Sequence, residues 1–310
     1  MTDISVVIPV LDEEESLAEL VSTLHEVLSG LSRDYEIVFI DDGSTDGSFA
    51  VLEKLHTQDP RVKVVQFRRN FGKAAALSAG FDEAQGDVVI TMDADLQDDP
   101  REIPRFLAEI EKGYDLVSGW KFPRRDPLTK TLPSQLFNFV TRLTTGVRIH
   151  DFNCGFKAYR REVVAELQIY GELYRYIPAM AHQQGFRVGE IKVKHHPRRF
   201  GSSKYGLSRF ARGFFDLITI LFLMRYDRRP LHIFGWFGLL SFIGGLIINV
   251  YLTVLWFIGE RPIGDRPLLM LGVLLVILGA QFISLGLIAE MVTRGFASHI
   301  SQYSIRKKLK

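Results

Sequence analysis

Two stretches of this chain dictate the solvent around them. Residues 233–258 and 268–289 each run without a single Asp, Glu, Lys or Arg, and each exceeds the roughly 20 residues an α-helix needs to cross hydrocarbon. Uncharged helical runs of this length are rare in soluble cores, so the expectation is two membrane spans. The connection between them, "GERPIGDRP", is short, which makes the pair an antiparallel hairpin with both ends on one side. The flanks "RYDRRP" and "RKKLK" carry far more Lys and Arg than that connection. The positive-inside rule therefore places the N-terminal region and both termini in the cytoplasm. A bacterial inner-membrane protein is the natural setting.

Before the hairpin the pattern belongs to a different architecture. Short β-branched runs alternate with helical ones: "ISVVIPV" with "EESLAELVSTLHEVL", "YEIVFI" with "SFAVLEKLH", "VKVVQF" with "KAAALSAGFDEAQ", then "DVVITM", "IPRFLAEIEKG" and "DLVSG". Such alternation predicts right-handed crossovers and an α/β, Rossmann-like, mostly parallel sheet covered on both faces. Between 121 and 204 regularity fades; a helix is expected in "TLPSQLFNFVTRLTTG" and an edge strand in "FRVGEIKVKHH". The stretch "LSRFARGFFDLITILFLMRY" mixes arginines with aromatic and aliphatic residues, as an interfacial helix does. The expected organisation is a cytoplasmic domain over 1–210, an interfacial helix over 211–229, the hairpin over 230–295 and a basic tail over 296–310.

Composition narrows the reading further. With 47% hydrophobic and 24% charged residues the chain can build a sizeable core, which excludes general disorder. Net charge is only +2, yet "HHPRRFGSSKYGLSRFARG" is strongly basic. Set beside a membrane hairpin, that basic stretch suits anionic lipid head groups, and no nucleic-acid partner is expected. Cys154 is the only cysteine, so no intrachain disulfide can form, and nothing near it suggests a nucleophile. The start "MTDISVVIPV" lacks a basic n-region and reads as a strand rather than a signal peptide.

In parallel sheets ligands bind beyond the carboxyl ends of the strands, and those ends here are acidic. No glycine-rich phosphate loop follows the first strand; the turn is Leu11-Asp12-Glu13-Glu14-Glu15. Glu14 and Glu15 serve equally well as first-turn helix residues. After the second strand comes "DDGSTDG", where Asp42 is the candidate for a nucleoside and Ser44 or Asp46 for a helix cap. After the fourth comes "DADLQDDP". Asp93 and Asp95, one residue apart, can face one way and share a hard divalent cation, Mg²⁺ or Mn²⁺, that also takes substrate phosphates. Asp98 and Asp99, ahead of Pro100, are expected to face water or start the next helix.

The segments "VVIPVLDEEESL", "DDGSTDGS", "RNFGKAAALSAG", "DADLQDDP" and "RRFGSSKYG", in that order, resemble the inverting family 2 glycosyltransferases. The polyprenyl- and dolichyl-phosphate branch is the most similar, and it too carries a trailing two-helix hairpin. The resemblance covers roughly residues 4–210. It implies a GT-A fold, a nucleotide diphosphate sugar as donor (UDP-hexose or GDP-mannose, not distinguished) and a polyprenyl phosphate as acceptor. By the same resemblance Pro9, Leu11, Glu13 and Asp42 line the nucleoside pocket with Lys73 near it, and Asp93, Ala94, Asp95 and Gln97 lie at the metal and donor phosphates. Lys121 stands where the family usually has arginine; it keeps the charge without the bidentate fork. Arg198 and Lys204 are implied to hold donor and acceptor phosphates.

An aspartate assigned as a base in some relatives aligns here with Gly155, which leaves Asp151, four residues earlier, as the substitute. A processive polysaccharide synthase is the rival enzyme reading, but "QQGFRV" lacks the tryptophan of that class. A catalytically inactive anchor is the rival non-enzyme reading, against which stands the intact Asp93-x-Asp95 with Lys204. Small residues in the spans, Gly244, Gly245 and Gly286, would permit a homo-oligomer.

Overall fold

The computed structural model describes residues 2–122, 230–259, 267–295 and 305–309, and most of 138–196. The expected interfacial helix at 211–229, Arg198 and Lys204 lie outside the described residues.

The chain forms two compact units. In the first, β1 (Ile4–Val10), β2 (Tyr35–Asp41), β3 (Val62–Phe67) and β4 (Val88–Thr91) alternate with α1 (Leu17–Ser29), α2 (Ser48–Gln58) and α3 (Lys73–Glu83). A 3-10 turn at Pro100–Glu102, α4 (Ile103–Glu111) and β5 (Leu116–Lys121) follow. Next come β6 (Lys157–Arg160), α5 (Arg161–Glu166), α6 (Ile177–Gln183) and the strand β7 (Val188–Val193) expected at 186–196. The sheet order is β7-β5-β6-β4-β1-β2-β3-β8, the last being Ile305–Leu309.

Alternation along β1 divides the core into two layers. Ile4, Val6, Ile8 and Val10 point into one, with Leu17, Leu20 and Phe106, while Val7 enters the other, with α3. The alanines of α3 are the reason it lies flat: a Cβ on Gly80 would come within 2.2 Å of Val7 Cγ1. That close approach aims the first turn of α3 at the end of β4, which places Lys73 beside Asp93.

Two strands escaped the sequence reading. β6 is antiparallel to both β4 and β5, between which it is inserted. Its direction brings the residues before it, 151–156, to the edge where the parallel strands end. β8, within the stretch expected to be a basic tail, pairs antiparallel with β3. Its sequence Ile-Arg-Lys-Lys-Leu suits an outermost strand, because lysine on an edge discourages further pairing.

In the second unit, α7 (Pro230–Phe257) and α8 (Pro267–Gly295) form the expected hairpin. They are long and apolar enough to cross a membrane, yet only 17% and 11% of their most apolar windows are buried. A soluble core helix would be mostly buried, and these are not. Glycines allow the two backbones to touch: a Cβ on Gly245 would sit 2.6 Å from Gly272 O, and one on Gly279 would sit 2.6 Å from Phe242 N. Close packing through small residues is the usual device where no hydrophobic effect drives helices together.

Candidate active site

The exits of β1, β2 and β3 are laced together by side chains. Asp12, at φ 52°, donates its amide to Ser44 Oγ (3.0 Å) and accepts from Thr45 N at 2.8 Å. Gly47 N donates to Glu14 Oε2 (3.0 Å), and Glu13 N to Ser48 Oγ (2.9 Å). Glu14 is thus more than a first-turn residue: it bridges two loops. Asp42, 4% exposed, accepts from Phe71 N (2.7 Å) and Gly72 N (2.9 Å). Burial raises its pKa, with Asp41 adding to the rise and the two amides opposing it. The nucleoside candidates Pro9, Leu11, Glu13 and Asp42 therefore share this edge, with Asp42 also bracing the turn that leads into α3.

The aspartate cluster after β4 divides in a way the sequence does not reveal. Asp93 pairs with Lys73, and Gly155 lies against it, since a Cβ there would be 2.8 Å from Asp93 Oδ2. Ala94 is buried at 3% exposure. Asp95 accepts from Gln97 N at 3.2 Å, and its pKa is raised by burial and then by the charges of Asp93 and Asp98. Between them Leu96 adopts φ 58°, a left-handed conformation costing a bulky residue about 1–3 kcal/mol.

Asp98 does not face water. It is 1% exposed, with Lys121 Nζ at 3.6 Å and His195 Nδ1 at 3.7 Å. Burial would raise its pKa, but Lys121 and His195 outweigh that and hold it well below the usual carboxylate range. The expectation for Asp98 fails because residues nearly 100 positions away close over it. The expectation for Asp99 holds: its Oδ1 accepts from Arg101 N at 3.0 Å and caps the 3-10 turn.

Lys121, at the end of β5, is half-buried; desolvation alone would lower its pKa, but Asp98, then Cys154, Asp93 and Asp151 raise it. Its ammonium is therefore a fixed charge. Together Lys73 and Lys121 supply positive charge that the aspartates need. Asp151 is 1% exposed; its Oδ1 accepts from Asn153 N (3.1 Å) and its carbonyl from Ser118 Oγ (3.3 Å). Cys154 is buried and its thiol is pushed up to about 12, mainly by that burial. It packs rather than reacts at neutral pH.

A further lysine was missed. Lys157, first residue of β6, is 3% exposed and donates to the carbonyl of Cys154, holding the 151–155 segment under the site. Burial lowers its pKa to about 8. The available signal was a lysine between Phe156 and Ala158, both core residues. Because its pKa falls from 10.5 to about 8, the unfolded chain binds more protons between those values, so stability rises with pH across that window. A shift of this size corresponds to about 3 kcal/mol. Lys157→Met is expected to unfold at a higher temperature than the parent at pH 7, with the gap closing towards pH 10, as read by thermal melts in detergent.

Does a divalent cation fit? Asp95 is a half-buried carboxylate crowded by two others, and among the described residues it accepts a single hydrogen bond, from Gln97 N. Such a group gains from a cation. Gln97 spends its amide Nε2 on His196 O (3.3 Å), leaving its oxygen as the atom suited to a hard ion. Among the described residues no group of three or more His, Cys, Asp or Glu side chains is placed to hold a metal alone. A cation here would share its shell with water and substrate phosphate, as Mg²⁺ ordinarily does.

The Glycosyl transferase family 2 profile matches residues 5–168. The chain belongs to family 2 of the glycosyltransferases. Dodecaprenyl-phosphate galacturonate synthase of Rhizobium johnstonii is 38% identical over 299 residues, covering 95% of this chain and 88% of that relative. Undecaprenyl-phosphate 4-deoxy-4-formamido-L-arabinose transferase of Salmonella choleraesuis is 36% identical over 293 residues, with 94% and 88% covered. Both matches run through the hairpin, so they place this glycosyltransferase in the polyprenyl-phosphate branch. Among solved structures, glucosyl-3-phosphoglycerate synthase from Mycobacterium tuberculosis, in complex with Mn²⁺, uridine diphosphate and phosphoglyceric acid, superposes with TM-score 0.56. Identity is 18%, with 72% of this chain and 78% of that one covered. The same enzyme in complex with Mg²⁺ and uridine diphosphate gives 0.55 at 19% identity, covering 72% and 79%. At those identities the likeness concerns the fold, a GT-A-like sheet.

Proposed function

We propose that the protein is a membrane-anchored inverting transferase that moves a sugar from a nucleotide diphosphate sugar to a polyprenyl phosphate at the cytoplasmic membrane face. The observation that carries this reading is the Asp93–Asp95 pair, set between Lys73 and Lys121 at the carboxyl edge of the sheet, in a chain that continues into two exposed apolar helices. The two relatives named above act, by name, on dodecaprenyl or undecaprenyl phosphate. The basic residues Arg198 and Lys204 stand near the end of the catalytic domain, ahead of the hairpin in sequence, where a lipid phosphate would be met.

Asp93, Asp95 and the Gln97 oxygen would hold Mg²⁺ or Mn²⁺, which neutralises charge on a departing nucleoside diphosphate. Lys73 fixes Asp93 from the first turn of α3, and Lys121 adds a half-buried positive charge beside the same carboxylates. A phosphate monoester is already largely ionised near neutral pH, so the acceptor demands alignment behind the anomeric carbon more than a base. Direct displacement there inverts the configuration. Asp151, from a segment pinned by Lys157 and Ser118, lies close enough to Lys121 to influence it. It orients the acceptor side of the site.

The test is transfer of labelled sugar from a panel of UDP- and GDP-sugars into a chloroform-soluble, mild-acid-labile product, with and without EDTA. The expected product forms with one donor, is lost with EDTA and returns with Mn²⁺ or Mg²⁺. In that assay Asp151→Asn should cut turnover while sparing donor binding. A polymeric product, or no transfer with any donor, would reject the reading.

A further inference from the structure

The site described above accounts for Asp93 and Asp95 but leaves Asp98 without a task, although Asp98 is the most completely enclosed of the four. Neither of its carboxylate oxygens has a hydrogen-bond partner among the described residues. It is flanked instead by the Lys121 ammonium, Nζ at 3.6 Å from β5, and by the His195 imidazole, Nδ1 at 3.7 Å from the segment after β7. The backbone makes the same junction. Asp98 and His195 form an antiparallel bridge, His196 N donates to Gln97 O at 2.9 Å, and Gln97 Nε2 donates to His196 O at 3.3 Å. Asp99 Oδ2 adds His196 Nε2 at 3.5 Å.

These contacts join three parts of the chain that separate elements deliver: the aspartate motif after β4, the lysine that ends β5, and the residues two positions ahead of Arg198. An interior carboxylate without hydrogen-bond donors is costly to bury, and two hydrophobic residues would fill the space with less penalty. A neutral side chain could bridge the backbones; it could not hold the Lys121 ammonium and accept from His195 as a carboxylate can.

We propose that Asp98 is a positioning residue for sugar transfer, its carboxylate fixing Lys121 and His195 so that the donor-phosphate motif and the strand end leading to the basic acceptor segment move as one piece. The proposal rests on the transferase reading for its kinetic consequence alone. Asp98 touches neither donor nor acceptor; it acts through Lys121.

The test uses the full chain in detergent. Asp98→Asn keeps the shape and removes the charge, and kcat is expected to fall about 10–100-fold, as for partners one step removed from a reacting group. Lys121→Met should lose activity as well, and the double variant should lose no more than Lys121→Met by itself, because coupled residues do not add. A structural role would lower the melting temperature and leave kcat per folded molecule unchanged. Amide exchange supplies a readout that needs no turnover: at His196 it should quicken about tenfold or more in Asp98→Asn, with β1 unaffected. Wild-type kcat in Asp98→Asn, or losses that multiply in the double variant, would overturn the proposal and leave the transferase reading intact. If the parent transfers no sugar to any lipid phosphate, the transferase reading falls. Exchange then decides Asp98: faster exchange at His196 supports the positioning role, and unchanged exchange refutes it.

Discussion

Asp95→Ala is expected to abolish sugar transfer and metal-dependent donor binding, whereas Asp99→Ala leaves both nearly intact. The two residues differ by four positions and by their surroundings. Asp95 is the crowded carboxylate, its charge disfavoured by burial and by Asp93 and Asp98; a divalent ion with its diphosphate is what would make three carboxylates tolerable there. Removing a group that stabilises charge on a leaving group typically costs about 10²–10³-fold in rate, and loss of a cation ligand adds lost donor affinity. Asp99 instead caps the 3-10 turn through Arg101 N, so its removal costs about 1 kcal/mol of stability and little rate. Transfer assays and calorimetric titration of uridine or guanosine diphosphate with Mn²⁺ measure both effects. Equal tolerance at the two positions would return the cluster to an ordinary acidic turn.

Gly155→Ala should disable the enzyme without unfolding it. A Cβ at 155 would lie 2.8 Å from one Asp93 oxygen and 2.9 Å from the other, and Asp93 cannot swing freely because Lys73 holds it. The added methyl must displace the carboxylate, and a displacement of about 1 Å at a reacting centre can cost 10²-fold. The contact is with the end of a side chain at the rim of the site, so the melting temperature should stay close to that of the parent. Gly155→Asp, which introduces the residue some relatives carry as a base, should do worse, since it sets a carboxylate against Asp93. Measured kcat above the parent's in Gly155→Asp would show that the reaction lacks a base and that Asp93 can yield.

Much of the first unit was legible from residues 4 to 121, and the reason is local. The strands there are short runs rich in β-branched residues and the helices between them are longer and mixed in polarity, so length and composition separate them; β1 and β3 begin and end where the pattern does. β6 was not legible. It is four residues long, contains a lysine and an arginine, and exists because β4 and β5 offer it two hydrogen-bonding edges at once. β8 is charged at three of five positions and is a strand only because β3 would otherwise end the sheet unpaired.

The candidate site shows the same division. Asp93-x-Asp95, Asp42 and Lys73 sit at strand exits, and in a parallel sheet the exits are where ligands bind, so order along the chain announces them. Asp98 and Asp99 are adjacent and chemically identical, and no local pattern distinguishes them; His195 and His196 bury one and leave the other at a helix start. Lys157 and Gly155 matter because an antiparallel strand carries them to the exit edge, a direction that sequence does not encode.

By itself, then, the sequence determined which helices are long and apolar enough to cross a membrane, the alternation that builds a mostly parallel sheet, and the acidic motif at the end of its fourth strand, because hydropathy and strand period act over a few residues. Only the tertiary structure decided how those acids are neutralised: Lys73 for Asp93, Lys121 and His195 for Asp98, and the underlying Lys157. Charge interactions depend on distance in space, and these partners come from 20 to 97 positions away.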